Sequence, residues 1–326
     1  MKIILSVIAV TLVSLLAAPG NAQQQPTQTK AVELTGLVGV KHNTQGSLTV
    51  ENGNLRFIYS SGTSDLAPRT MQDVVTGNDS QRVIRGTVGT LSMFAPYESG
   101  RFLSLFRSKI DTLTIEYSDA EGGLHGVIFT TPAGTADAIK QQLVVLGART
   151  SIPAQRDPAP NPAVLTPDPA AKKTASDQSQ APTAAKINAS AITVMMIESE
   201  EIKLPAEFQI SLYENLIEQL QKKGGFQHVY REGDRASAGA ANLVVLYSTV
   251  RGFKQGSERA RQVTTVAGAT SIRVHCEFTD PSGRLLLARD INGKVRFFGG
   301  NLKATYDFAK KAVNVAHQSV SPVAAD

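Results

Sequence analysis

Leu204 to Gly225 reads LPAEFQISLYENLIEQLQKKGG, and its apolar positions recur at helical spacing. Phe208, Leu212, Leu216 and Leu220 stand four residues apart with Tyr213 and Ile217 beside them, which predicts a helix with one face laid on a sheet. Pro205 falls in its first turn and Gly224-Gly225 stops it, in keeping with the preferences of helix ends. Upstream, Ala191–Ile197 (AITVMMI) reads as a buried strand; downstream, Phe226–Tyr230 reads as a short one. Asn242–Val250 is apolar at both alternating sets of positions, Leu243, Val245 and Tyr247 against Val244, Leu246 and Val250, which predicts a central strand covered on both faces. Thr270–Thr279 and Leu285–Asn292, joined by the turn Asp280-Pro281-Ser282-Gly283, and then Val295–Phe298 complete the strands. Asn301 stands where it can cap a last helix carrying Leu302, Tyr306, Ala309, Val313 and Ala316. The order β-α-β-β-β-β-β-α predicts an α/β sandwich over 188–320: a mixed, mainly antiparallel sheet with two helices packed on it.

Before this module the composition changes. Residues 150–187 hold seven of the fifteen prolines and no aromatic residue, too little apolar surface to offset ordering entropy, so the stretch reads as a linker that leaves the modules on either side independent. The module before it, 31–149, reads as antiparallel strands closed by a helix. Leu48 and Val50, then Leu55, Phe57 and Tyr59, alternate around Asn52-Gly53, whose tolerance of positive φ suits a tight hairpin. Leu113, Ile115 and Tyr117 lead into a second hairpin turning at 119–123 and returning through Val127 and Phe129. Residues 70–86 are expected to add one or two strands, and 87–107 suit helix or strand equally. Thr135 is expected to cap a helix that buries Ala138, Ile139, Leu143 and Leu146 and ends at Gly147. At the N-terminus, Met1-Lys2, the apolar run Ile3–Ala18 and the small-residue exit to Ala22 have the form of a secretory signal peptide, cleaved after Ala22. A flexible leader, 23–30, follows it, and 321–326 forms a tail. The only cysteine is Cys276, so no acylated cysteine stands at the cleavage point, and the run is too short for a membrane anchor. Export would place the mature chain in the periplasm or outside the cell.

Two resemblances add to this reading. Strands followed by one amphipathic helix, over about 110 residues, resemble the pleckstrin-homology or GRAM-like superfold, which implies a bent sheet plugged at one end. The second module, on Leu216–Leu220, Gly224-Gly225-Phe226, Ala241–Val245, Gly256–Arg261, Ala267-Gly268-Ala269, Phe278–Gly283 and Gly299-Gly300, resembles the bacterial envelope family called domain of unknown function 4410. That likeness implies an interaction role in the cell envelope and supplies no catalytic residues. Taken together the class is α+β, a β-meander closed by a helix and then the α/β sandwich.

Hydrophobic residues at 42% and charged residues at 19% exclude a disordered chain, and 326 residues suit two domains. A net charge of +5 spread without blocks gives no reason to expect a nucleic-acid partner. The loop Lys254–Gly268 carries Lys254, Arg259 and Arg261 among glycine and serine, an arrangement that could hold an anionic group or simply lie solvated. Strand alternation sets Arg273, His275 and Glu277 on one face and Ile272, Val274, Cys276 and Phe278 on the other, so Cys276 reads as a core side chain and His275 with Glu277 as a polar face. His42, His125, His228 and His317 lack metal-ligand spacing, and no nucleophile elbow or complete phosphate loop appears. The expectation is therefore no catalytic residue, metal or cofactor. The chain reads as an envelope protein that works by contact with a protein partner or with itself. The alternative is an anionic ligand or lipid-surface binder using the Lys254–Gly268 loop, with membrane contact left open.

Overall fold

A computed structural model describes residues 28–77, 110–151, 187–199, 202, 204–256, 269–295 and 300–321. The segment expected as signal peptide, 152–186 of the expected linker, 78–86 of the stretch expected to add strands, the ambiguous 87–107, and Arg259 and Arg261 lie outside the described residues.

The first module is one sheet of seven strands: β1 (Thr29–Thr35), β2 (Thr44–Glu51), β3 (Asn54–Tyr59), β4 (Gly62–Leu66), β5 (Met71–Thr76), β6 (Ile110–Ser118) and β7 (Leu124–Pro132). They run in the order β4-β3-β2-β1-β7-β6-β5. Both expected hairpins form. Asn52 and Gly53 take φ of 50° and 78°, the left-handed pair that a two-residue turn requires. One face of the sheet gathers a core of Leu48, Leu55, Phe57, Leu113, Ile115, Val127 and Phe129. Helix α1 (Thr135–Val145) lies on that core through Ala136, Ile139 and Leu143, with Lys140 also buried. Three expectations are corrected. β1 opens at Thr29, inside the stretch expected as a leader, because pairing with β2 buries Thr29 opposite Leu48. Thr135 is the first helical residue and its hydroxyl donates to the Pro132 carbonyl, while Gly134 holds the cap position at φ 81°. Leu146 and Val145 turn outward, and Ala136 fills the place expected of Ala138.

In the second module, β8 (Ile187–Asn188) is followed by β9 (Ala191–Val194), α2 (Ala206–Lys223), β10 (His228–Arg231), β11 (Leu243–Lys254), β12 (Thr270–Thr279), β13 (Leu285–Val295), α3 (Lys303–Ser319) and β14 (Val320–Ser321). The sheet order is β10-β9-β11-β12-β13, parallel across β10-β9-β11 and antiparallel across β11-β12-β13, and β14 pairs with β8 apart from it. Leu285–Asn292 and Val295, expected in separate strands, belong to one continuous β13. β9 stops at Val194, short of the expected Ile197. Asn301 precedes α3, where its carbonyl accepts the Ala304 N–H and its side-chain oxygen accepts the Thr270 hydroxyl at 2.6 Å. Among the described residues no helix is long and apolar enough to cross a membrane.

β11 is central, as its composition suggested, yet the helices lie on one face only. Val244, Leu246, Ser248 and Val250 are buried beneath α2 and α3, whereas Tyr247 on the other face is 39% exposed. Its apolar outward residues are therefore an open surface and not a second core face.

The modules are not independent. α2 is buried almost all round, because Leu212, Tyr213, Leu216, Ile217 and Leu220 face its own sheet while Ile210 meets Leu34 and Ile128 of the first. Gly126 makes this approach feasible: a β-carbon there would sit 2.5 Å from Ile210 carbons. Backbones also meet, since the Leu124 N–H donates to the Glu232 carbonyl at 2.8 Å and the Arg235 N–H to the Glu121 carbonyl at 3.2 Å.

Candidate functional site

Two polar constellations follow from this architecture, one buried between the modules and one on the open face. The buried one centres on Glu214, projected from α2 toward the first sheet. Its Oε1 accepts the Gly126 N–H at 2.8 Å, and Arg231 donates to both carboxylate oxygens at 2.7 Å and to the Leu124 carbonyl at 3.0 Å. Burial opposes the charge of Arg231, but the Glu214 carboxylate overrides it and holds the guanidinium protonated. Tyr213 lies under Arg231, its ring centroid 5.6 Å from the guanidinium carbon. On β1, Glu33 is fully buried; burial first, then the nearby Glu214 charge, push its carboxyl up to about 8, against the pull of the Leu37 N–H it accepts at 3.2 Å. Among the described residues its Oε2 has no hydrogen-bond partner. Glu214 and Arg231 are used to join the modules through Gly126 and Leu124, so the constellation reads as structural.

The open face is built by register. β11, β12 and β13 set Tyr247, Glu277 and Ala288 in one rank, Thr249, His275 and Asp290 in the next, then Gly252, Arg273 and Asn292, and last Lys254, Ser271 and Lys294. A bulge between Val250 and Gly252 keeps β11 in phase and throws Arg251 outward. His275 lies between two carboxylates, its Nδ1 2.6 Å from Asp290 and its Nε2 3.2 Å from Glu277. The sequence placed His275 with Glu277; Asp290 escaped it because it stands 15 residues away and reaches His275 only through strand pairing. Beside Tyr247 a groove of about 430 Å³ runs along Met195, Met196, Glu198 and Gln209. His275 does not line it.

Lys254, the described member of the expected anion loop, is the exposed last residue of β11. The structure brings it together with Lys294 and Arg273, which the sequence separates by 40 and 19 positions. Cys276 is fully buried with Ser248 3.7 Å away, and burial pushes its thiol up to about 12. Of the four other histidines, His42 lies 3.3 Å from Thr35 and 3.8 Å from Glu218 of α2, His125 lies 2.8 Å from Asp119, His228 stacks on Tyr230, and His317 stands near the end of α3. Among the described residues no group of three His, Cys, Asp or Glu side chains is placed to hold a metal ion.

No family model matches the chain, and no curated protein does. Several solved structures are slightly similar. The PelC dodecamer from Paraburkholderia phytofirmans is 16% identical, matches 43% of this chain and 93% of its own, and has a TM-score of 0.30. A protein from Helicobacter pylori assigned as a neuraminyllactose-binding hemagglutinin homolog is 13% identical over 42% of this chain and 86% of its own, with a TM-score of 0.25. One from Caulobacter crescentus assigned as a lipoprotein is 15% identical over 38% and 82%, with a TM-score of 0.19. These likenesses are too slight to give this chain a family or an activity.

Proposed function

We propose that the chain is a non-catalytic protein of the cell envelope, exported by the Met1–Ala22 segment, that acts by docking a protein partner or a second copy of itself on the open face of its C-terminal sheet. The observation that carries this is the one-sided coverage of that sheet. Tyr247 at 39% and Leu285 at 51% exposure, with Val245 and Ala288 partly exposed, keep an apolar strip at the surface. Such a face gains by covering its apolar area. The strand order β4-β3-β2-β1-β7-β6-β5 followed by a helix supports reading the first module as pleckstrin-homology-like, here a buttress for α2. The domain of unknown function 4410 likeness points to the same envelope role.

A photo-crosslinking residue at position 247 or 285, introduced into the protein in fractionated envelopes, should capture a defined protein or a second copy. Capture that is equal from exposed Lys41, on the first module, would sink the assignment of this face.

A further inference from the structure

The far end of the same face has a different character. Its last two ranks, Lys254-Ser271-Lys294 and Gly252-Arg273-Asn292, contain three cations and no carboxylate. Lys254, Arg273 and Lys294 are all exposed, and among the described residues none of the three side chains is in an ion pair. The nearest acids on the face, Asp290 and Glu277, are taken up by His275, and Asp307 of α3, which accepts the Lys294 N–H at 2.9 Å, is paired with Lys311 at 2.7 Å. Strands about 4.8 Å apart and same-face residues about 6.8 Å apart place the three backbone positions within roughly 10 Å of one another. Gly252 adds no side chain between them. Like charges so close repel, and the arrangement becomes favourable once a countercharge covers it.

The chemistry of that cover follows from the surroundings. The backbone groups of β12 are committed to ladders on both sides, so a peptide cannot add there as a strand. Among the described residues the cations stand on a pleated surface and not in a cleft, which suits a planar array of anionic groups better than one enclosed anion. We propose that Lys254, Arg273 and Lys294 form a seat for an anionic phospholipid surface, a site distinct from the apolar strip around Tyr247.

Full-length protein should co-sediment with phosphatidylcholine vesicles that contain phosphatidylglycerol and not with phosphatidylcholine alone, and should release as salt rises. Lys254→Gln, Arg273→Gln and Lys294→Gln should each weaken binding about fivefold, and the triple variant on the order of 100-fold. The matched variant Lys41→Gln/Arg69→Gln/Lys223→Gln removes the same charge from exposed positions elsewhere and should stay within about twofold of the parent. Lys254→Arg/Lys294→Arg should bind normally. Equal loss in the two triple variants would reduce the effect to net charge and overturn the proposal. So would binding that ignores phosphatidylglycerol, or tighter capture by soluble polyglutamate, which would give the seat to an acidic polypeptide. If the first triple variant loses its circular dichroism signal, the three single variants decide.

Discussion

Glu33 shows how a single residue can set the pH response of the fold. Its folded carboxyl titrates at about 8 against an ordinary 4.5, so the native state holds a proton that the unfolded chain gives up. The sign follows: stability is greatest below the ordinary carboxyl range and is lost progressively as pH rises to about 8. Glu33→Gln should therefore leave the melting temperature unchanged near pH 4 to ~5 and raise it near pH ~9, by roughly 2 kcal/mol in stability. Thermal melts of both proteins across that range check it. Gly126 is a second decisive residue. A methyl group at this position would overlap Ile210, so Gly126→Ala should cost about 1–3 kcal/mol in urea unfolding. Cys276, by contrast, should resist thiol reagents until the protein unfolds, a point that labelling with and without denaturant settles. None of Glu33, Gly126 or Asp290 stands out in the sequence. Asp290 owes its importance to His275, 15 residues away, and Gly126 to Ile210, while Glu33 owes its importance first to burial by the fold and then to the Glu214 charge, which no local pattern records.

At the scale of elements, legibility follows the range of the physics involved. The Asn52-Gly53 hairpin and the stripe Phe208-Leu212-Leu216-Leu220 are local signals, and both are met in the structure. The second face of α2 is not local. Ile210 and Glu214 lie off the stripe that the sequence singled out, and the first sheet is what Ile210 packs on and what gives Glu214 the Gly126 N–H. The two-sided burial expected of β11 failed for a related reason: alternation reports hydrophobicity, not whether a helix arrives to cover it. The cation rank was half visible, since Lys254 was singled out with its loop while Arg273 and Lys294 gained meaning from register. The Glu214–Arg231 pair makes the joint between elements testable. Removing either member strands a buried charge, so Arg231→Met should destabilise by about 3–5 kcal/mol and the double variant Glu214→Gln/Arg231→Met by distinctly less. A double-mutant cycle by chemical denaturation reads this directly.

For the whole molecule, the consequence is a two-module body fastened by α2, by Leu124 and Glu121 against Glu232 and Arg235, and by the bonds that Glu214 and Arg231 make to Gly126 and Leu124. A protease site engineered into 152–186 and cleaved in the native protein should leave the halves eluting together on gel filtration. Arg231→Glu, which sets two acids against each other at Glu214, should release them. Halves that separate on simple cleavage would return the molecule to the independent modules suggested by its proline-rich stretch.

The turns at Gly122 and Gly233 approach so closely that a β-carbon on either would lie within 3 Å of the other's carbonyl oxygen. Both glycines also adopt left-handed φ angles of 93° and 79°. Replacing either therefore meets two objections at once, one conformational and one steric. These two positions should tolerate almost no variation, and random mutagenesis scored for intact protein would find them as a coupled pair of intolerant sites.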